Sequence, residues 1–317
     1  MSTVVAPPVR RIPVRNTLLV VLGIAAYLVL VYLANAQYYF GLQPLWQSEL
    51  WDYGFGAVAM GLIYLATRRV TRPRPQLPAD ATSLAWLIAI FVLYAGLLTL
   101  FWVAILGPWQ PLVRIIGMDH WLGTRLHLPG SVVSRLDNVM VGGLPLTAVA
   151  VGLAVWRVRR FGAIGYYFAW LDWLLGFALI LLATAGSFIT NRMLWNSQPL
   201  SSIVPLSLWA IPMFLLQALV NGIMEETLDR GYLMSQLSAF FHRPWLVMLV
   251  MIVVFDLSHL PRDLIYLHQP LLPTLWQMIF PLQPFGLVVG YSYWRSRSVV
   301  PGILFHTYTT LWAFPFL

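Results

Sequence analysis

Apolar runs long enough to cross a bilayer recur along nearly the whole 317-residue chain. A hydrocarbon core about 30 Å thick needs about 20 mostly apolar residues per helical crossing. Inside that core every backbone N–H and C=O must be satisfied within the protein, which leaves helices or a closed barrel. The runs are continuous, whereas barrel strands alternate apolar and polar residues with a period of two. The expected fold class is therefore all-α, a polytopic transmembrane helix bundle of about 8–9 spans. The spans are expected near 17–36, 51–67, 83–106, 138–156, 163–187, 205–236, 245–260, 272–293 and 299–316. Pro281 and Pro284 should kink the eighth, because proline removes a helix hydrogen bond.

Composition excludes a soluble globule. Only 9% of residues are charged against 60% hydrophobic, and mean hydropathy is +0.76. Soluble domains carry about 25% charged residues. The net charge is +8, and every one of the 19 basic residues is arginine. Arginine clusters sit in short loops: Arg10, Arg11 and Arg15; Arg68, Arg69, Arg72 and Arg74; Arg157, Arg159 and Arg160; Arg295 and Arg297. Under the positive-inside rule these loops are cytoplasmic, and so is the N-terminus. The protein is then expected in a cell membrane, multi-pass, of a bacterium. Loop clustering of this kind points to a bilayer partner and away from nucleic acid. With no cysteine, thiolate catalysis and cysteine-ligated metals are excluded.

Ionisable residues within apolar spans are costly and mark pairing, cavities or chemistry. They concentrate in the C-terminal third. This divides the chain into N-terminal helices of unassigned role, 1–204, and a candidate catalytic core, 205–317. One span holds Glu225, Glu226, Asp229 and Arg230, the next Phe255, Asp256 and His259, and the last His306 and Thr310. Glu226 and Arg230 are four apart, so they share a helix face and should pair. Glu225 is turned about 100° from Glu226 and is expected to point elsewhere. Phe255 with His259, and His306 with Thr310, are each four apart too. At about 1.5 Å per residue, Glu225 lies about 17 Å, His259 about 21 Å and His306 about 11 Å from the cytoplasmic helix ends. Similar depth permits convergence of a carboxylate and two imidazoles. A carboxylate with a neutral histidine can take a proton from water and return it to a leaving amine. A second histidine can donate to a developing oxyanion. Glu225, His259 and His306 are equally acceptable zinc ligands with a fourth position open for water, and the spacing does not choose between these chemistries. The bland readings are a helix-end charge pair for the glutamates, carbonyl-bonded histidines, and simple packing for Phe255. Asp256, three residues before His259, could orient it or serve helix packing. Asp172, inside another apolar run, is expected to pair structurally or line a cavity.

Glu225-Glu226-Thr227-Leu228-Asp229-Arg230-Gly231 resembles the Glu-Glu-x-x-x-Arg-Gly motif of the CAAX-protease and bacteriocin-processing (CPBP, or Abi) intramembrane endopeptidases. Phe255-x-x-x-His259 is similar to that family's second motif. His306-x-x-x-Thr310 is similar to its third, with threonine where the family carries Asn or Asp. The resemblance spans roughly residues 205–317. It implies hydrolysis of a peptide bond in a membrane-associated or lipidated protein or peptide. Glu225 would activate water with help from His259, His306 and Thr310 would form the oxyanion side, and Glu226 with Arg230 would support them. The expectation is catalysis without a required cofactor, with zinc as the alternative. The competing functions are an inactive immunity or scaffold protein of the same fold, for which Thr310 speaks, and a proton-coupled transporter, against which the lack of an internal repeat speaks.

Overall fold

A computed structural model describes residues 45–72, 77–106, 144–158, 164–194, 216, 218–241, 243–265, 268–279 and 284–313. The described residues are helical throughout, with no strand among them. The helices are α1 (Leu45–Thr67), α2 (Ala81–Leu106), α3 (Leu144–Val158), α4 (Trp170–Leu194), α5 (218–240), α6 (Pro244–Ile265), α7 (Leu271–Ile279), α8 (Pro284–Ser296) and α9 (Val300–Ala313). Each expected apolar run carries helix except 17–36, which lies outside the described residues. Two details differ from expectation. The run over 272–293, expected as one kinked helix, comprises two helices. Pro284 stands at the first position of α8, where its missing N–H costs nothing. In the run expected to start at 163, a non-helical connector over 165–169 precedes α4, which begins at Trp170. Gly165 has φ +94°, a left-handed backbone that glycine alone adopts freely, and it turns the connector here.

By length and composition, α6 is long and apolar enough to cross a membrane. Gly54–Thr67, Ala81–Leu97 and Trp170–Gly186 are shorter apolar stretches. The bundle is inside-out relative to a soluble protein. Its outer face carries Val58, Leu65, Val92, Trp156 and Leu181 at 55–69% exposure. Its interior holds Glu225, Glu226, Asp229, Arg230, Asp256 and His306, all below 9%. Large exposed apolar area of this extent needs a non-aqueous neighbour.

Helix α5 is the axis of the bundle, and residues 224–237 are buried without a break. On one side an apolar cluster joins it to α2, α3 and α6 through Ile90, Leu228, Leu233, Val247 and Met251. A second cluster holds α1, α4, α8 and α9 together through Ile63, Leu179, Val288 and Phe305. Close approach to α9 rests on Gly222. A Cβ there would fall 2.5 Å from Thr307 Oγ1 and 2.8 Å from the Ile303 carbonyl oxygen.

Arginines gather at one end of the bundle, as their loop positions lead one to expect. Arg72, beyond α1, donates from both Nη atoms to the two Asp172 oxygens at 2.8 Å, and from Nη1 to the Ser296 carbonyl at 2.9 Å. Asp172 is fully buried and lies in the first turn of α4, where a carboxylate also suits the helix dipole. Its pairing is thus structural. Arg295 Nε donates to Thr67 Oγ1 at 3.2 Å, and Gln236 Nε2 donates to the Pro78 carbonyl at 2.7 Å. Asp80 caps α2 by accepting from the Ser83 backbone N–H at 2.7 Å, and that bond holds its carboxyl below the usual carboxylate range. The cap is therefore present at neutral pH and is lost only as pH falls through that lowered value.

Replacing Arg72 with Met should leave the Asp172 carboxylate buried and uncompensated. The expected cost is about 3 kcal/mol, read as a lowered thermal midpoint in detergent. The double variant Arg72→Met/Asp172→Leu should recover most of that loss.

Candidate active site

The local winding of α5 sets the site. It runs as π-helix over Ala218–Ile223, as a single α-turn over Met224–Glu226, and as π-helix again over Thr227–Met234. π-Turns inside α-helices are rare and recur at functional sites. Here they flank the two glutamates. Thr227 hydrogen-bonds with the Ile223 carbonyl and with the Tyr166 hydroxyl, which ties this turn to the connector before α4.

Both glutamates reach the same imidazole. His306 Nδ1 lies 2.9 Å from Glu226 Oε1 in a hydrogen bond, and Nε2 lies 3.2 Å from Glu225 Oε2. Adjacent side chains on α5 thus bracket one ring from α9. The expectation that Glu225 points away from Glu226 is corrected: a flat ring slotted between two carboxylates presents one nitrogen to each. Gly302, one turn before His306, leaves room for this. A Cβ there would stand 2.6 Å from Glu226 Oε2.

The proton inventory follows from donors and acceptors. Glu226 Oε1 also sits 3.1 Å from Arg230 Nη1, in the expected i,i+4 pair. A carboxylate facing a guanidinium accepts, so Nδ1 of His306 carries hydrogen. Glu225 Oε2 and Nε2 are close but not aligned for a hydrogen bond.

Phe255 is the hub of the second layer. Its ring lies 4.9 Å from that of His259 and 5.9 Å from that of His306, with the Arg230 guanidinium 5.0 Å from its centroid. Phe285 closes the other side of His306, edge to face at 4.9 Å. Sequence reasoning missed Phe285, because an aromatic after a proline in an apolar run carries no signal of its own. Phe255 keeps the packing role expected of it and brings His259 beside the Glu–His–Glu group. His259 Nδ1 lies 3.0 Å from the Phe255 carbonyl, which can only accept, so Nδ1 bears hydrogen and the ring lone pair is on Nε2.

Two expectations for the oxyanion side change. Thr310 Oγ1 donates to the His306 carbonyl at 2.9 Å, so its proton points at the helix backbone and away from an oxyanion. A threonine one turn on reaches that carbonyl easily, which an amide would not do in the same way. His306, expected on the oxyanion side, has both nitrogens facing carboxylates. Asp256, expected to orient His259 or to serve helix packing, is buried, and its Oδ2 has no hydrogen-bond partner.

The zinc alternative needs three donors converging on one point with lone pairs free. Among the described residues no three His, Asp or Glu side chains are so arranged. His306 presents its nitrogens to two glutamates, whereas His259, with Nδ1 on the Phe255 carbonyl, keeps Nε2 for another partner. No step below passes through a metal.

Residues 207–312 match a family model described as type II CAAX prenyl endopeptidase Rce1-like. No curated protein and no solved structure matches the chain significantly. All three motifs quoted from the sequence fall inside the matched segment, and so does the whole Glu225–His306–Glu226–Arg230 group. The match over residues 207–312 is consistent with the CPBP resemblance read from the motifs.

Proposed function

We propose that the protein is an intramembrane endopeptidase that hydrolyses a peptide bond in a membrane-associated or lipidated protein or peptide. One observation carries this reading: Glu225, with Oε2 3.2 Å from His306 and unaligned, is a buried carboxylate oxygen with capacity to accept from water. Glu225 takes a proton from water as the oxygen attacks the scissile carbonyl carbon. His259 Nε2 assists by accepting from the same water. The tetrahedral intermediate collapses by breaking the C–N bond, and the proton held by Glu225 passes to the leaving amine. His306 shares the proton of Glu225, while Glu226 and Arg230 hold His306 in place. The name of the matched family makes a CAAX tail bearing a prenyl group the first substrate class to test.

The arginine-rich bundle end supports an orientation with that end, and the N-terminus, on the cytoplasmic side of a bacterial cell membrane. The span count of about nine belongs to the same proposal. Engagement of Thr310 with the helix backbone favours the second reading, an inactive scaffold or immunity protein of the same fold.

The test is cleavage of a quenched peptide library, with and without a C-terminal farnesyl-cysteine, by the full chain in detergent. Glu225→Gln should lower kcat/KM by at least about 100-fold, and His259→Ala by a comparable amount. Activity surviving Glu225→Gln would remove the mechanism. A wild type inert on the whole library would favour the scaffold. Activity should persist after dialysis against a chelator, and a stoichiometric metal lost together with activity would overturn metal-free catalysis.

A further inference from the structure

The clamp of His306 needs two helices in register, α5 with the glutamates and α9 with the imidazole. The connector over 165–169, with Ile164 ahead of it, touches both. It lies outside the matched segment 207–312.

On the α5 side the connector bonds where the winding changes. Ile223 ends the first π-helical stretch, and Thr227, directly after Glu226, begins the second. Thr227 Oγ1 donates its one proton to the Ile223 carbonyl. In its hydrogen bond with Tyr166, the tyrosine hydroxyl is therefore the donor. The result is a chain, from Tyr166 O–H to Thr227 O–H to Ile223 C=O, that closes across Met224, Glu225 and Glu226. Four residues on, Gly231 lets Ile164 lie directly on α5. A Cβ at Gly231 would overlap Ile164 Cγ2 and stand 2.8 Å from the Ile164 carbonyl oxygen.

On its other side the connector holds the turn into α9. The Val299 backbone N–H donates to the Gly165 carbonyl at 3.0 Å, and Ser298 Oγ donates to the Tyr167 carbonyl at 3.1 Å. Gly165 is itself pressed on this turn, where a Cβ would stand 2.8 Å from the Arg297 carbonyl oxygen. Tyr166 thus stands between two backbone anchors that are fixed to the start of the His306 helix. A π-turn holds one residue more than an α-turn. Relaxing it would rotate the side chains that follow by about 100° about the helix axis.

We propose that Tyr166 is a positioning residue of the proposed hydrolysis. Its hydroxyl, braced against the start of α9, fixes the winding of α5 that aims Glu225 and Glu226 at His306. It acts through Thr227 and needs no contact with water or peptide. The inference rests on the hydrolytic reading above and gives a task to residues N-terminal to the matched segment.

The experiment assays Tyr166→Phe, Thr227→Val and the double variant in the full chain on the best peptide of the quenched library. Wild type, Thr227→Ser and Glu225→Gln run beside them. Tyr166→Phe should lower kcat about 10-fold with KM within about twofold of wild type. Thr227→Val should do the same, whereas Thr227→Ser keeps the hydroxyl chain and should hold kcat within about threefold of wild type. The double variant should be no slower than the slower single variant by more than about twofold, because both changes break one chain. Losses that multiply in the double variant overturn the link through Thr227. A kcat of Tyr166→Phe within about threefold of wild type, whatever its thermal midpoint, confines the bond to stability and overturns the proposal. With Glu225→Gln inactive, that result leaves the hydrolytic reading standing. Full activity of Glu225→Gln, or a wild type inert on the whole library, removes both.

Discussion

The clamp of His306 between Glu225 and Glu226 is the contact on which the interior of this protein depends. Charged groups in an apolar interior persist only when they are paired. Here the pairing runs from Glu225 through the imidazole to Glu226 and on to Arg230. Remove the ring and two neighbouring carboxylates face one another beside a single guanidinium. The rest of the fold supplies the conditions for the clamp. The π-turns present both glutamates from one helix, and Gly222 and Gly302 let α9 approach closely enough to insert His306. Phe255 and Phe285 fix the plane of the ring.

The bundle is organised by solvent in the opposite sense to a soluble protein. Its charged residues face inward to one another between two buried apolar clusters, and further aliphatic and aromatic residues face outward. At one end a second group of charges, Arg72 with Asp172 and Arg295 with Thr67, knits the helix termini together. That end works as a frame. It sets the positions of α4, α8 and α9, and hence the height at which His306 meets α5.

Much of this is legible in the residues. Continuous apolar runs specify helices, because only a helix satisfies its backbone within one segment. The i,i+4 spacing of Glu226 and Arg230 specifies their pairing, and the pair forms. The order of the Glu-Glu, Phe-His and His motifs points to the domain that the family model matches over 207–312. The pairing of Asp172 was open to the same logic, as a lone acid in an apolar run requires a cation. Which of 19 arginines supplies it was not, because Arg72 is a hundred residues away in the chain.

Sequence by itself determined the helical class and the inventory of buried charges, since each follows from local composition and spacing. Tertiary structure alone decided how those residues meet. An α-helical wheel sends Glu225 away from Glu226, whereas the wound α5 and an inserted ring bring them to one imidazole. Helical spacing leaves the Thr310 hydroxyl open to an oxyanion, whereas a backbone carbonyl one turn back takes its proton. The reason is common to both: the direction of a side chain depends on which groups reach it, a distant imidazole for Glu225 and a local carbonyl for Thr310.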